Sequence, residues 1–269
     1  MYFGHLSVSD LPAIEFNGTY YVLGCIKSTN YYGFGNFADV HPVLSASQWQ
    51  EIDLEHYNLP ILNQQSTSSC VGHASCSAME MAWVQSGRKL REFSPYFIYG
   101  QINGGRDQGA MISDALQSLK EIGVCLKNEV PQGAMFKYQF PKSAYENAKN
   151  YKIFDAFQCG TFDEVCSAIS LGFPVVLGIM VGNNFPRLDS EGVAPLPAGG
   201  GGGHALLGMA LKRSQRYGWL VKVQNSWSAS YGVNGHCYLR REHFDNQIDS
   251  FAIQVTTGED PTDPPVANS

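Results

Sequence analysis

The period of the hydrophobic positions changes along the chain. Over residues 70–86, Val71, Ala74, Ala78, Met81 and Ala82 recur at helical spacing. Ser68 or Ser69 is placed to cap that helix and Gly87 to end it. The pattern is cleaner over 111–122, where Ile112, Ala115, Leu116, Leu119 and Ile122 share one face and Gly123 follows. Thr161 and Glu164 form a capping box that predicts a short helix ending at Gly172. Further on the apolar runs shorten: 175–181, 205–211, 219–224, 236–241 and 251–255 predict strands, as does 20–26 near the N-terminus. Residues 30–36, rich in Gly and Asn, predict a loop. Helices followed by strands predict an α+β fold with segregated halves.

Composition narrows the classes. The 269 residues are enough for one large or two small domains, burying roughly 70–75% of the unfolded surface. Eighteen basic against 24 acidic residues leave a net charge of −6 with no basic run, which argues against a nucleic-acid partner. The longest apolar stretch, 174–181, has the length of a strand and not of a membrane span. The N-terminus carries neither the basic region nor the long apolar block of a signal peptide. Residues 259–269 have the composition of a disordered tail. Seven cysteines, an odd count without a Cys-x-x-Cys pair, predict mostly free, buried thiols in a reducing compartment.

One segment carries chemistry. Cys70 stands at the first turn of a predicted helix, after the polar loop 63–69. The first N–H groups of a helix lack partners and favour a thiolate, the nucleophilic form. Gln64 is close enough to swing an amide donor toward the same point, making with the Cys70 backbone N–H a two-donor oxyanion hole. A nucleophile also needs a base and an orienter. His204, behind the glycines 199–203, and Asn225 follow 134 and 155 residues after Cys70. A lone helical cysteine is ordinarily a core residue; the other three side chains shift that reading. Cys70, His73 and Cys76 offer metal-ligand residue types, but helical spacing puts Cys76 off the His73 face, so His73 and Cys76 are read as packed and no metal is expected. The glycine run reads as a flexible loop.

At these positions the chain resembles the papain-like cysteine peptidases. Asn63-Gln64, Ser69-Cys70, Gly203-His204-Ala205, Asn225-Ser226-Trp227 and the Tyr231 to Gly235 stretch match family motifs in order, with the His and Asn at about the 130–150-residue separation of that group. Residues 107–125 and 172–178 are most similar to its compact bacterial and phage branch. The resemblance covers about residues 50–256. It implies a two-subdomain α+β fold: a helical half, 49–149, presenting Cys70 on a central helix, and an antiparallel β-barrel-like half, 150–258, carrying His204 and Asn225. Residues 1–48 are an N-terminal extension that packs on the fold or covers the cleft, and 259–269 a tail.

Carried over residue by residue, the resemblance makes Cys70 the nucleophile, His204 its proton partner, Asn225 the orienter and Gln64 the oxyanion donor. Trp227 shields the His–Asn hydrogen bond. A thiolate–imidazolium pair would stand ready before substrate arrives. Gly109 and Ala110 would offer backbone hydrogen bonds to an extended peptide. Met111 would line an apolar pocket for the second residue before the cut bond, and Gly203 would border the cleft. Thr67 replaces a cysteine of the family motif that normally forms a disulfide, and Val71 replaces an aromatic. The implied activity is endopeptidase on polypeptide substrates, without a cofactor, nucleic acid or membrane partner. The implied setting is cytoplasmic or virion-associated. Alternatives are a papain-fold assembly protein docking through its N-terminal segment or tail, and an amidase, isopeptidase or transferase using the same triad.

Overall fold

The computed structural model describes residues 11–52, 57, 59–131 and 133–256; the expected tail at 259–269 lies outside them. After the one-turn helix α1 (Phe37–Val40) comes the central element, helix α2 (Cys70–Gln85). Its residues are buried from Cys70 through Trp83, on every face and not only along the apolar stripe read from the sequence. Small side chains allow this: a Cβ on Gly72 would lie 2.7 Å from the Pro95 carbonyl oxygen, so α3 (Pro95–Ile102) packs directly on the α2 backbone. Helix α3 starts with Pro95 in its first turn and the Ser94 side chain accepting from the Phe97 N–H, a pre-set φ and a satisfied end donor. Helix α4 (Ile112–Glu121) buries Ile112, Ala115, Leu116 and Leu119 as the spacing predicts. It follows directly on the two-residue strand β4 (Ala110–Met111). Helix α5 (Lys142–Ala148) completes the helical part.

The second part is a six-stranded antiparallel sheet. Its strands are β5 (Asp155–Gln158), β6 (Val175–Gly182), β7 (Gly201–Ser214), β8 (Gly218–Gln224), β9 (His236–Arg240) and β10 (Asp249–Gln254). The order across the sheet is β5-β10-β6-β7-β8-β9. Helix α6 (Phe162–Ser170) packs against it, capped by Thr161, whose hydroxyl accepts from the Glu164 N–H while Glu164 accepts from the Gly160 N–H. Val165 and Ile169 share one core with Leu177 and Val221. A second core gathers Val71, Met79 and Trp83 of α2 with Leu116 and, from the sheet, Leu207. The fold is α+β, as the change of period predicts. Apart from a single turn at Phe37–Val40 and α6, which packs on the sheet, the α-helices lie between 70 and 148 and the large sheet between 155 and 254.

Three local expectations are corrected. The glycines 199–203 are not a free loop: 201–203 begin β7 and pair with Met180, Val181 and Gly182 of β6, because side-chain-free backbone allows close approach there. The run 20–26 is two strands in different sheets, β2 (Thr19–Val22), which pairs with β1 (Ala13–Phe16), and β3 (Cys25–Ile26), broken at Leu23 and Gly24. Ser69 occupies the N-cap position of α2 without a capping bond from its side chain. Its hydroxyl is engaged by Thr67 and by His73 Nδ1 instead.

Candidate active site

The start of α2 meets β7 and β8. Cys70 is fully buried there, its thiol close to the backbone of Ala205, the residue after His204. His204 is equally buried, and its Nε2–H donates to Asn225 Oδ1 at 2.8 Å. That bond fixes the tautomer. Nδ1 is left as the acceptor nitrogen and has no hydrogen-bond partner among the described residues. Asn225 Oδ1 also accepts from the Ser226 N–H at 2.8 Å, which holds the amide in place. The Trp227 ring, fully buried, lies 5.2 Å from the imidazole between centroids, and Phe185 stands on edge at 6.1 Å. Both keep water from the His–Asn bond.

Gln64 reaches this point through Ser226, a residue the sequence reading did not single out although it lies inside the Asn-Ser-Trp motif. Ser226 Oγ donates to Gln64 Oε1 at 2.8 Å, and the Gln64 N–H donates to the Ser226 carbonyl. The amide is thereby turned so that Nε2 donates to the Val22 carbonyl at 3.0 Å and the Thr67 carbonyl at 2.8 Å. A second network was also illegible. Asp107 Oδ1 accepts from the Ser68 N–H, Ser68 Oγ and Tyr99 Oη, and the Gly109 N–H donates to Ser68 Oγ. It ties the loop before Cys70 to the strand edge at Gly109 and Ala110. Gly109 sits at φ +84°, a conformation glycine adopts without strain.

The cleft is filled by the chain's own N-terminal segment. β3 pairs in parallel with β4, Cys25 opposite Ala110 and Ile26 opposite Met111, and the Ala110 N–H donates to the Gly24 carbonyl at 2.8 Å. A Cβ on Gly24 would lie 2.0 Å from the Ser68 carbonyl oxygen, and one on Gly203 would lie 2.1 Å from the Cys25 carbonyl oxygen. Residues 22–25 are thus wedged between the loop before Cys70 and β7, backbone against backbone. Tyr21 stacks on Trp227 at 4.8 Å. An isolated glycine within a strand pattern marks such a close approach, and Gly24 was the one sign in the sequence.

Electrostatics follow from this cover. Burial pushes the Cys70 thiol up to about 11, against the pull of backbone groups of Ala205, Gly24, Val71 and Cys70 itself. Burial pushes His204 down to about 4, with the Asn225 bond opposing. Both shifts run against the standing ion pair expected from the helix N-terminus, because desolvation disfavours each charged form. His73 is buried with Nδ1 against the Ser69 carbonyl, and Cys76 donates to Glu80. All seven cysteines are free and buried, and no helix among the described residues is long and apolar enough to cross a membrane.

The family model described as papain family cysteine protease matches residues 46–256. No curated protein matches the chain by sequence. Among solved structures, the chain is similar to xylellain, a cysteine protease from Xylella fastidiosa, with 22% identity, a TM-score of 0.64, and coverage of 86% of this chain and 99% of that one. It is similar to procathepsin B S9 of Trypanosoma congolense at 14% identity and a TM-score of 0.70, covering 88% and 87%. It is similar to the bromelain protease of Ananas comosus, solved with the E64 inhibitor, at 20% identity and a TM-score of 0.62, covering 77% and 99%.

Proposed function

Given that the chain belongs to the papain family of cysteine proteases, we propose that it is an endopeptidase with Cys70 as nucleophile, His204 as its proton partner, Asn225 as orienter and Gln64 as oxyanion donor, and that residues 21–28 hold it latent. Cys70 Sγ attacks a peptide carbonyl and gives up its proton to His204 Nδ1. The oxyanion meets Gln64 Nε2 and the Cys70 N–H. The C–N bond breaks as His204 returns the proton to the leaving amine, leaving a thioester. Water then attacks, His204 takes its proton, and the acid leaves as the thiol is restored. The observation that carries this reading is Gln64: its amide, oriented by Ser226, already donates to a peptide carbonyl, that of Val22, in the arm segment whose Gly24 backbone reaches Cys70.

The same proposal takes 49–149 as the helical half, 150–258 as the β half and 1–48 as an arm whose described part lies on its own chain. Gly109, Ala110 and Gly203 line the backbone track of the cleft, now occupied by Gly24 and Cys25. The reading extends to the compact bacterial and phage branch, which the near-full coverage of the Xylella protease supports. It extends also to a reducing setting, cytoplasmic or virion-associated, which the seven free thiols support.

The test uses full-length protein carrying Gly24→Ala to loosen the arm. Iodoacetamide labelling of Cys70, followed by mass spectrometry across pH, is expected to persist well below pH 8. Labelling there should be lost in the added His204→Ala variant, and peptide hydrolysis in Cys70→Ala. Slow labelling in both proteins, rising only toward alkaline pH, refutes the assignment.

A further inference from the structure

Three donors converge on one carboxylate oxygen beside the loop that leads into Cys70. The Ser68 N–H donates to Asp107 Oδ1 at 3.0 Å, Ser68 Oγ at 2.5 Å and Tyr99 Oη at 2.6 Å. An ionised carboxylate suits that place because it accepts and never donates, and its charge-assisted bonds are the strong ones. Both hydroxyl protons are spent on Asp107. Ser68 Oγ is thereby left to accept the Gly109 N–H at 2.8 Å, with Tyr99 Oη 3.2 Å from the same N–H. Ser68 and Tyr99 are fully buried. One side chain thus joins the loop before Cys70, helix α3 and the strand edge at Gly109.

The cluster sets both the width of the cleft and the entry to α2. The Gly24 backbone runs between Ser68 and Gly109: a Cβ on Gly24 would lie 2.0 Å from the Ser68 carbonyl oxygen, and one on Gly109 would lie 2.5 Å from the Gly24 carbonyl oxygen. The slot spanned by the Ser68–Gly109 bond therefore admits one extended backbone. Two residues after Ser68, the Cys70 N–H opens α2. Ser69 at the N-cap makes no capping bond from its side chain, so the helix's own cap does not aim that N–H. The Thr67 and Ser69 hydroxyls bond to each other, to the Gln64 carbonyl and to His73, all within the loop and its helix. All seven cysteines are free, so no covalent crosslink steadies the loop either. Asp107 holds it from across the slot.

We infer that Asp107 is a positioning residue for peptide hydrolysis. Acting through Ser68, it aims the Cys70 N–H as an oxyanion donor and keeps the Gly109–Ala110 edge one peptide backbone away. The inference rests on Cys70 being the peptidase nucleophile. It separates two reactions of the same thiol. Alkylation by iodoacetamide displaces iodide from a saturated carbon and develops no oxyanion. Hydrolysis passes through an oxyanion that needs preorganised donors. Removing Asp107 should spoil the second and spare the first.

The test uses full-length protein carrying Gly24→Ala, so that the arm is loosened in every variant. Adding Asp107→Ala is expected to lower kcat on a fluorogenic peptide about 100-fold, the cost of a misplacement of about 1 Å, with iodoacetamide capture at Cys70 undiminished. Asp107→Asn keeps an acceptor at Oδ1 without the charge and should restore kcat to within about tenfold of the parent. Ser68→Ala removes the bridging hydroxyl and should show the same split. Combined with Asp107→Ala, it should lower kcat no further than the worse single change, because both act through one network. Should Asp107→Ala fail to fold, the split in Ser68→Ala decides. An unchanged kcat, or kcat and capture falling together in a folded variant, overturns the positioning role while the peptidase reading stands. A parent that captures iodoacetamide but cleaves no peptide refutes the peptidase reading, and the positioning role falls with it.

Discussion

Gly24→Ala tests the wedge directly. The added Cβ would lie 2.0 Å from the Ser68 carbonyl oxygen, 2.7 Å from the Ser68 carbonyl carbon and 2.8 Å from its Cβ. Two of these three atoms are backbone, and Ser68 cannot retreat because Asp107 holds both its N–H and its hydroxyl. The arm must lift. Overpacking ordinarily costs about 1–3 kcal/mol, and contact this close with fixed backbone belongs at the upper end. Lifting also breaks the Ala110 to Gly24 and Gln64 to Val22 hydrogen bonds, each worth about 1 kcal/mol net, and exposes Leu23, now 2% exposed. Those losses limit how far the arm moves but do not restore its seat. A shift of about 2–3 kcal/mol toward the open cleft raises the exposed population roughly 30- to 150-fold. The assay is the rate of iodoacetamide capture at Cys70, with the six other cysteines, all buried, as internal references. Capture should rise by about that factor at Cys70 and not elsewhere. Equal Cys70 capture in wild type and a folded variant would refute the wedge.

Three further outcomes are expected. Asn225→Ala removes the only described partner of His204 Nε2, so kcat/KM on a peptide substrate should fall about 10- to 100-fold with melting temperature little changed; an unaltered kcat/KM excludes Asn225 as orienter. Glu80 is buried in α2 and pushed up to about 8 by desolvation, with the Phe93 N–H donating to Oε1. Because its folded-state pKa is raised, the folded form keeps a proton that the unfolded chain releases, so stability is fullest below about pH 4.5 and declines toward pH 8. Glu80→Gln should remove that slope, read from urea midpoints at either end of the window; parallel slopes refute it. Gly72→Ala forces a Cβ to 2.7 Å from the Pro95 carbonyl oxygen and 2.8 Å from Tyr99 Cβ and should destabilise by about 1–3 kcal/mol; a melting temperature at or above wild type would show that α2 and α3 can part.

The sequence disclosed those features that repeat locally. Helix α4 shows one apolar face and a stopping glycine, and the strands of the large sheet show compact apolar runs. Cys70 drew notice at the first turn of a predicted helix, and Gln64, His204 and Asn225 joined it because their order and spacing resemble the papain-like motifs. Features that depend on long-range contact were hidden. Asp107 reaches Ser68 across 39 residues, and nothing in its neighbours marks it. The glycines 199–203 have flexible-linker composition, yet β6 and the arm both need bare backbone there. Burial all round α2 also has no periodic signature, since small residues satisfy every face.

The arm's covalent attachment has a consequence of its own. A tethered segment faces its site at an effective concentration of order millimolar, so a free peptide must compete against that reservoir for the cleft. One chain break after Tyr31 would turn residues up to that point into a separate ligand, diluted to the concentration of the enzyme itself. A reversible cover would thereby become a nearly one-way step, sharper the more dilute the protein. The latency proposed for this chain is then a property of connectivity as much as of contacts, and where the backbone is intact matters more than how tightly any single residue holds.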